Sequence, residues 1–256
     1  MVWSCLVSIL PGMAQTEKLT DYVNPFVGTD GYGNVYPGAQ IPFGGIQISP
    51  DTDSRFYDAA SGYKYNHLTL MGFSLTHLSG TGIPDLGDFL FIPGTGEMKL
   101  EPGTHEDPDQ GYRSRYSHDK EWASPNYYAV ELADYGVKAE MTSGVRSGMF
   151  RFTYPESDNA FIMIDMNHTL WQSCEWSNLR MINDSTITGY KLVKGWGPER
   201  HVYFTATFSK KLTGLRFVQD KKPVIYNTSR FRSSYEAWGK NLMACISFDT
   251  KAGEEV

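Results

Sequence analysis

The chain reads as an all-β protein, an antiparallel β-sandwich. Three observations predict this. From Gly111 onward, apolar residues alternate with polar ones in short runs, the period-two pattern of half-buried strands. Turn-forming groups separate the runs at regular spacing, as in a sandwich. No stretch of a dozen residues carries the apolar period of an amphipathic helix. Aromatic residues make up 14% of the chain, with 16 Tyr and 6 Trp, and such side chains suit pleated sheets.

The elements follow in order. Met1 to Gln15, MVWSCLVSILPGMAQ, has an apolar run and then the small-residue pattern of a secretory signal, though no basic start. Residues 1–15 are therefore read as a signal peptide or its remnant, and residues 20–256 as the folded domain. Gly44 to Ser49 alternates Ile46 and Ile48 with polar residues, as a strand does. Phe73, Leu75 and His77 alternate next, and Phe89 to Ile92 forms an apolar strand. Later strands are expected around Tyr128/Val130/Leu132, Val137/Ala139/Met141, Phe150/Phe152/Tyr154, Val202/Phe204/Ala206/Phe208 and Leu242/Ala244/Ile246/Phe248. Asp134-Tyr135-Gly136, Pro155-Glu156-Ser157-Asp158 and Lys211-Leu212-Thr213-Gly214 mark turns between them.

Composition narrows the function. The 256 residues suit one large domain or two small ones. A net charge of −6 argues against nucleic acid as partner, because phosphate binding wants a basic face. No apolar run is long enough to span a bilayer. Three cysteines, Cys5, Cys174 and Cys245, make no disulfide framework. Cys174 and Cys245 read as two buried thiols, with a bridge between them as the alternative.

Chemistry concentrates in a few stretches. Asp30 to Thr52, DGYGNVYPGAQIPFGGIQISPDT, mixes glycines and prolines with aromatic and amide side chains. Glycine permits close backbone approach and proline stiffens turns. The stretch is read as a rigid surface carrying Asn34, Tyr36, Gln40 and Phe43, or as a structural loop. Met71 to Phe91, MGFSLTHLSGTGIPDLGDFLF, places His77 beside Ser79, Gly80, Asp85 and Asp88. Those carboxylates are site residues or turn residues. Trp171 and Trp176, near His168, Glu175 and Asn178, form a third cluster. Lys194-Gly195-Trp196-Gly197-Pro198 forms a fourth. Exposed, such tryptophans suit sugar stacking; buried, they pack the sandwich. There is no Walker loop, Rossmann fingerprint, HExxH or nucleophile elbow. His67 and His77 lack zinc-ligand spacing with any cysteine. No metal ligands and no catalytic acid/base pair are assigned in this chain.

The two stretches together carry a resemblance. NPFVGTDGYGNVYPGAQIPFGGIQISPDT, then SGYKYN, then MGFSLTHLSGTGIPDLGD, resemble the N-terminal domain of the glycoside hydrolase family 92 α-mannosidases. The likeness runs from about Asp21 to Val256. It departs at Asn34-Val35, where many members carry His-Thr. It implies an exo-acting, inverting, calcium-dependent α-mannosidase, periplasmic or secreted, acting on mannose-containing glycans. It also implies an N-terminal β-sandwich joined to an (α/α)6 barrel that this chain does not include. The catalytic pair and most of the calcium site are expected in that barrel. The loops here are expected to wall the sugar site through Tyr36, Pro37, Gly38, Phe43, Tyr63, His77, Ser79, Gly80, Asp85 and Asp88. The two stretches should then meet, with His77 near the rim, orienting Asp85 or Asp88 or reaching a ligand hydroxyl. The alternative is a complete carbohydrate-binding or adhesion sandwich without catalysis.

Overall fold

A computed structural model of the chain describes residues 17–55, 57, 59–224 and 235–256. The signal segment read at residues 1–15 lies outside them. Among the described residues there is no α-helix, only three short 3-10 turns at Leu19–Tyr22, Pro108–Gln110 and His118–Lys120. No described helix is long and apolar enough to cross a membrane.

Three antiparallel sheets build the domain. The central one has eight strands, in the order Ala39–Gln40, Gln47–Asp51, Gly72–Ser74, Leu90–Thr95, Ser157–Asp165, Leu242–Thr250, Gly214–Gln219 and Lys222–Pro223. A second sheet orders Glu254–Glu255, Gly148–Tyr154, Val137–Ser143, Tyr127–Leu132 and Glu121–Ser124. A third orders Arg200–Thr207, Thr186–Lys194, Ser173–Asn183 and Glu236–Gly239. A small ribbon pairs Thr69–Leu70 with Ser114–Arg115.

Burial explains which residues form which strand. In Leu242–Thr250, Leu242, Ala244, Ile246 and Phe248 enter the main core, with Phe73, Phe91, Phe152 and Ile162. The intervening Met243 and Cys245 face the other side of the sheet. There they join Met71, Leu90, Ile92, Phe161 and Met163 under Met98 and Leu100. Ser157–Asp165 is buried the same way on both faces, so its apolar run FIMI shows no alternation. The expected strands around Tyr128, Val137, Phe150, Val202 and Leu242 all form.

Two expectations shift. The strand expected at Phe73, Leu75 and His77 stops at Ser74, because the Leu75 N–H bonds the Asp88 carbonyl at 2.9 Å and leaves the ladder. The Ile46–Ile48 strand runs instead as Gln47–Asp51. Cys174 and Cys245 are both buried thiols with no bridge between them.

Candidate functional site: a buried ion network under a polar and aromatic surface

The Asp30–Thr52 and Met71–Phe91 stretches meet. Gln47–Asp51 pairs with Gly72–Ser74 in the central sheet, so Asp51 and His77 are brought to one end of it. The Gly80 N–H donates to the Asn34 carbonyl at 2.7 Å, and the Tyr36 and His77 rings lie 5.1 Å apart. The Tyr36 hydroxyl donates to Gln40 Oε1, which satisfies the one polar atom of a buried ring.

His77 is a correction. It is 3% exposed, so it lies behind the surface, and it orients neither Asp85 nor Asp88. Its partner is Asp51, whose Oδ1 lies 2.8 Å from Nε2. Its Nδ1 donates to the Gln47 carbonyl at 2.7 Å. Both ring nitrogens are thus engaged, and Nε2 also lies 3.1 Å from the Ser74 hydroxyl. The other oxygen of Asp51 lies 2.9 Å from His168 Nε2. Burial pushes the Asp51 carboxyl up, but the two histidines outweigh it and hold it well below the carboxylate range. Gly62, at φ +86, sits against this pair, and a Cβ there would collide with Asp51 Oδ1. That contact is why SGY begins with a small residue and then glycine.

Asp88 anchors a second buried group. Its Oδ1 lies 3.1 Å from Lys191 Nζ, both side chains fully buried, and Oδ2 pairs with Arg200. The Thr76 hydroxyl donates to it at 2.7 Å. Burial opposes the charge, yet Lys191 and Arg200 hold this carboxyl below its ordinary value too. Lys191 Nζ also donates to the His168 carbonyl at 2.7 Å, joining the two groups into one network across two sheets.

Asp85 ties the loops together. Its Oδ1 accepts from the Leu86 N–H at 2.7 Å and its Oδ2 from the Trp196 N–H at 3.3 Å. Gln172 Oε1 accepts from the same Leu86 N–H at 3.0 Å. The second, third and fourth sequence clusters are therefore one wall. Tyr63 lies elsewhere in the core, 2% exposed, with its hydroxyl donating to Glu121 at 3.0 Å. Burial, together with Tyr116 and Glu121, pushes that phenol far up.

The expected site residues thus divide by burial. Tyr36, Pro37, Tyr63, His77, Asp85 and Asp88 are buried supports. Gly38 is half-buried, while Phe43, Ser79 and Gly80 are exposed. Trp171 and Trp196 are 55% and 54% exposed, so each presents part of its ring to the surface. A cleft of about 920 Å³ is lined among others by Ser54, Asp165, His168, Gln172, Cys174 and Lys240. The supports Asp51, Lys191 and Arg200 went unmarked in sequence because no local motif links them to their partners.

A third group joins His67, for which the sequence offered no cysteine partner at zinc-ligand spacing, to two residues the sequence reading did not single out. Asp53, His67 and His105 offer donor atoms within 4.8 Å of one another. Two imidazoles and one carboxylate do not suit calcium, which takes six to eight oxygen ligands.

Residues 22–256 match the glycosyl hydrolase family 92 N-terminal domain. The chain belongs to that family. Among solved structures, the family 92 glycosyl hydrolase ccman5 superposes with a TM-score of 0.74 at 26% identity, covering 90% of this chain and 30% of that one. A family 92 inverting mannosidase from Bacteroides thetaiotaomicron superposes equally well, TM-score 0.74, at 24% identity over 94% of this chain and 31% of that one; it shows the shared fold. A protein of Arthroderma benhamiae described as an uncharacterized secreted glycosidase is 30% identical over 139 residues, 54% of this chain and 17% of its own length. This family 92 N-terminal domain therefore spans less than a third of each relative.

Proposed function

We propose that this domain is one wall of the sugar site of a secreted or periplasmic exo-α-mannosidase. The remainder of that enzyme, an (α/α)6 barrel, supplies the catalytic acid, the catalytic base and the calcium ligands. The observation that carries the reading is the continuous wall. The Asp51–His77–His168 and Asp88–Lys191–Arg200 groups lock its base, and Asp85 joins the loops bearing Ser79, Gly80, Trp171 and Trp196. Exposed rings beside polar groups offer a sugar a stacking face and hydrogen bonds.

The carboxylates support a non-catalytic role for this chain. A general acid for glycoside cleavage needs a raised pKa. Asp51 and Asp88 are fully buried, and both carboxyls are held below the ordinary value, Asp51 by His77 and His168 and Asp88 by Lys191 and Arg200, so neither is a raised acid with a path to substrate. Inversion requires a second carboxylate activating water on the opposite sugar face, which falls to the barrel. Membership of a glycosyl hydrolase family and the inverting mannosidase among the structural neighbours favour an inverting α-mannosidase.

The test uses the longer protein encoded with this domain. It is expected to release mannose from an aryl α-mannoside, with the β-anomer appearing first by proton NMR. EDTA should abolish turnover and calcium restore it. The 256-residue chain alone should release none. Sugar binding to this chain without turnover by the longer protein would favour the binding-module alternative. Equal turnover of α-mannosides by this chain would sink the division of labour.

A further inference from the structure

The SGYKYN segment and the 96–111 loop meet at a cluster that the sugar reading leaves unused. Asp53 follows the Gln47–Asp51 strand and is 3% exposed. His67 lies just after SGYKYN, and His105 lies in the loop that leads to Pro108–Gln110. Their rings and carboxylate converge, with the two imidazole centroids 4.1 Å apart and the three donor atoms within 4.8 Å.

The cluster has the outer partners a metal centre needs. His105 Nδ1 is bonded to Thr69 Oγ1 at 2.8 Å, and His67 Nδ1 to Thr52 Oγ1 at 3.0 Å. Bonds of this kind fix ring orientation and tautomer around metals. The two threonines are themselves held, since Arg113 Nη1 donates to the Thr52 carbonyl at 2.5 Å and to Thr69 Oγ1 at 3.2 Å. His105 Nε2 is buried without a hydrogen-bond partner, which costs free energy unless something ligates it. It points at Asp53, 3.5 Å from Oδ2. An ion with tetrahedral bonds of about 2.0–2.1 Å holds its ligand atoms about 3.3 Å apart, close to that spacing.

We infer that Asp53, His67 and His105 bind a first-row transition-metal ion of the zinc type, with a fourth position left to solvent. Two imidazoles and one carboxylate select zinc, nickel or copper over calcium. Arg55 pairs with Asp53 Oδ2 through Nη2 at 2.5 Å and Nε at 2.7 Å, and a bound dication would have to displace it from that oxygen. The ion would pin the 96–111 loop, which roofs the second core through Met98 and Leu100, onto the SGYKYN segment.

The experiment takes the full chain, tag removed and stripped with EDTA, and titrates it with Zn²⁺ and with Co²⁺. One equivalent of Zn²⁺ should bind, and Co²⁺ should give the intense visible absorption of a tetrahedral site. A hundredfold excess over Kd should raise Tm by about 5–10 °C in a domain of this size. His105→Asn and His67→Asn should each weaken binding more than tenfold, while His201→Asn, at an exposed site, should not. In the wild-type chain, Zn²⁺ should shift the imidazole NMR resonances of His67 and His105 and leave those of His201 in place; this arm stands even if the variants misfold. No saturable Zn²⁺ binding, undiminished affinity in a folded His105→Asn variant, or unmoved His67 and His105 resonances would each overturn the proposal.

Discussion

Replacing Asp88 by asparagine tests whether the buried network holds the wall. The substitution keeps the shape and removes the charge. Lys191 Nζ, in a side chain with no exposure, would then face the His168 carbonyl at 2.7 Å and the Phe89 ring at 5.3 Å without its carboxylate. An uncompensated buried charge of this kind costs about 3–5 kcal/mol, a large share of the roughly 5–15 kcal/mol that keeps a domain folded. Arg200, 26% exposed, also loses its carboxylate and adds to that cost. At about 2–4 °C per kcal/mol for a domain of this size, Tm should fall by roughly 6–20 °C. Lys191→Met removes the cation instead and leaves Asp88 with Arg200 and Thr76, so it should cost less. The double variant should recover part of the loss, with a coupling of about 0.5–3 kcal/mol. Urea unfolding followed by far-UV circular dichroism measures all three. An Asp88→Asn loss below about 1 kcal/mol, or strictly additive effects, would refute the reasoning.

The remaining predictions concern acid, a glycine and a tryptophan. Asp88 titrates below its ordinary value of 3.8 in the folded chain, so its stabilisation is present above that value. It is lost progressively as pH falls below that value and through the lower one of the folded chain. Urea midpoints at pH 7, 4 and 3 should drop more steeply for wild type than for Asp88→Asn, and parallel curves would contradict the assignment. Gly62→Ala places a Cβ against the Asp51–His77 pair on a backbone at φ +86. It should cost at least the roughly 1–2 kcal/mol of a left-handed L-residue, and an unchanged melting curve would argue against the close approach. Trp171→Ala, at a 55% exposed position, should leave the chain folded and cost less than the roughly 3–5 kcal/mol of truncating a buried aromatic ring. In the longer protein it should raise KM for an aryl α-mannoside, and an unchanged KM would remove Trp171 from the sugar surface.

The sheet architecture was legible because period-two alternation reports burial on one face. Tyr128, Val130 and Leu132 show it, as do Leu242, Ala244, Ile246 and Phe248, and each run is a strand with those residues inside. The central Ser157–Asp165 strand was harder to see. A loop covers its second face, so Phe161 and Met163 are apolar where polar residues would otherwise mark alternation. Glycine, proline and polar-aromatic composition marked the two stretches, and sheet pairing put them side by side.

Sequence by itself determined the strand pattern, the family and the rigid glycine- and proline-rich segments, because those depend on neighbours along the chain. Roles within the site depend on partners far away. Asp51 meets His77 across 26 residues and His168 across 117, and Asp85 meets Trp196 across 111. A carboxylate that reads as a site residue in sequence can be a buried counter-ion or a catalyst, and only its burial and its partners decide which. Asp88, fully enclosed between Lys191 and Arg200, is a counter-ion. Asp53, His67 and His105 follow no local spacing at all, and only the folded chain brings their donor atoms together.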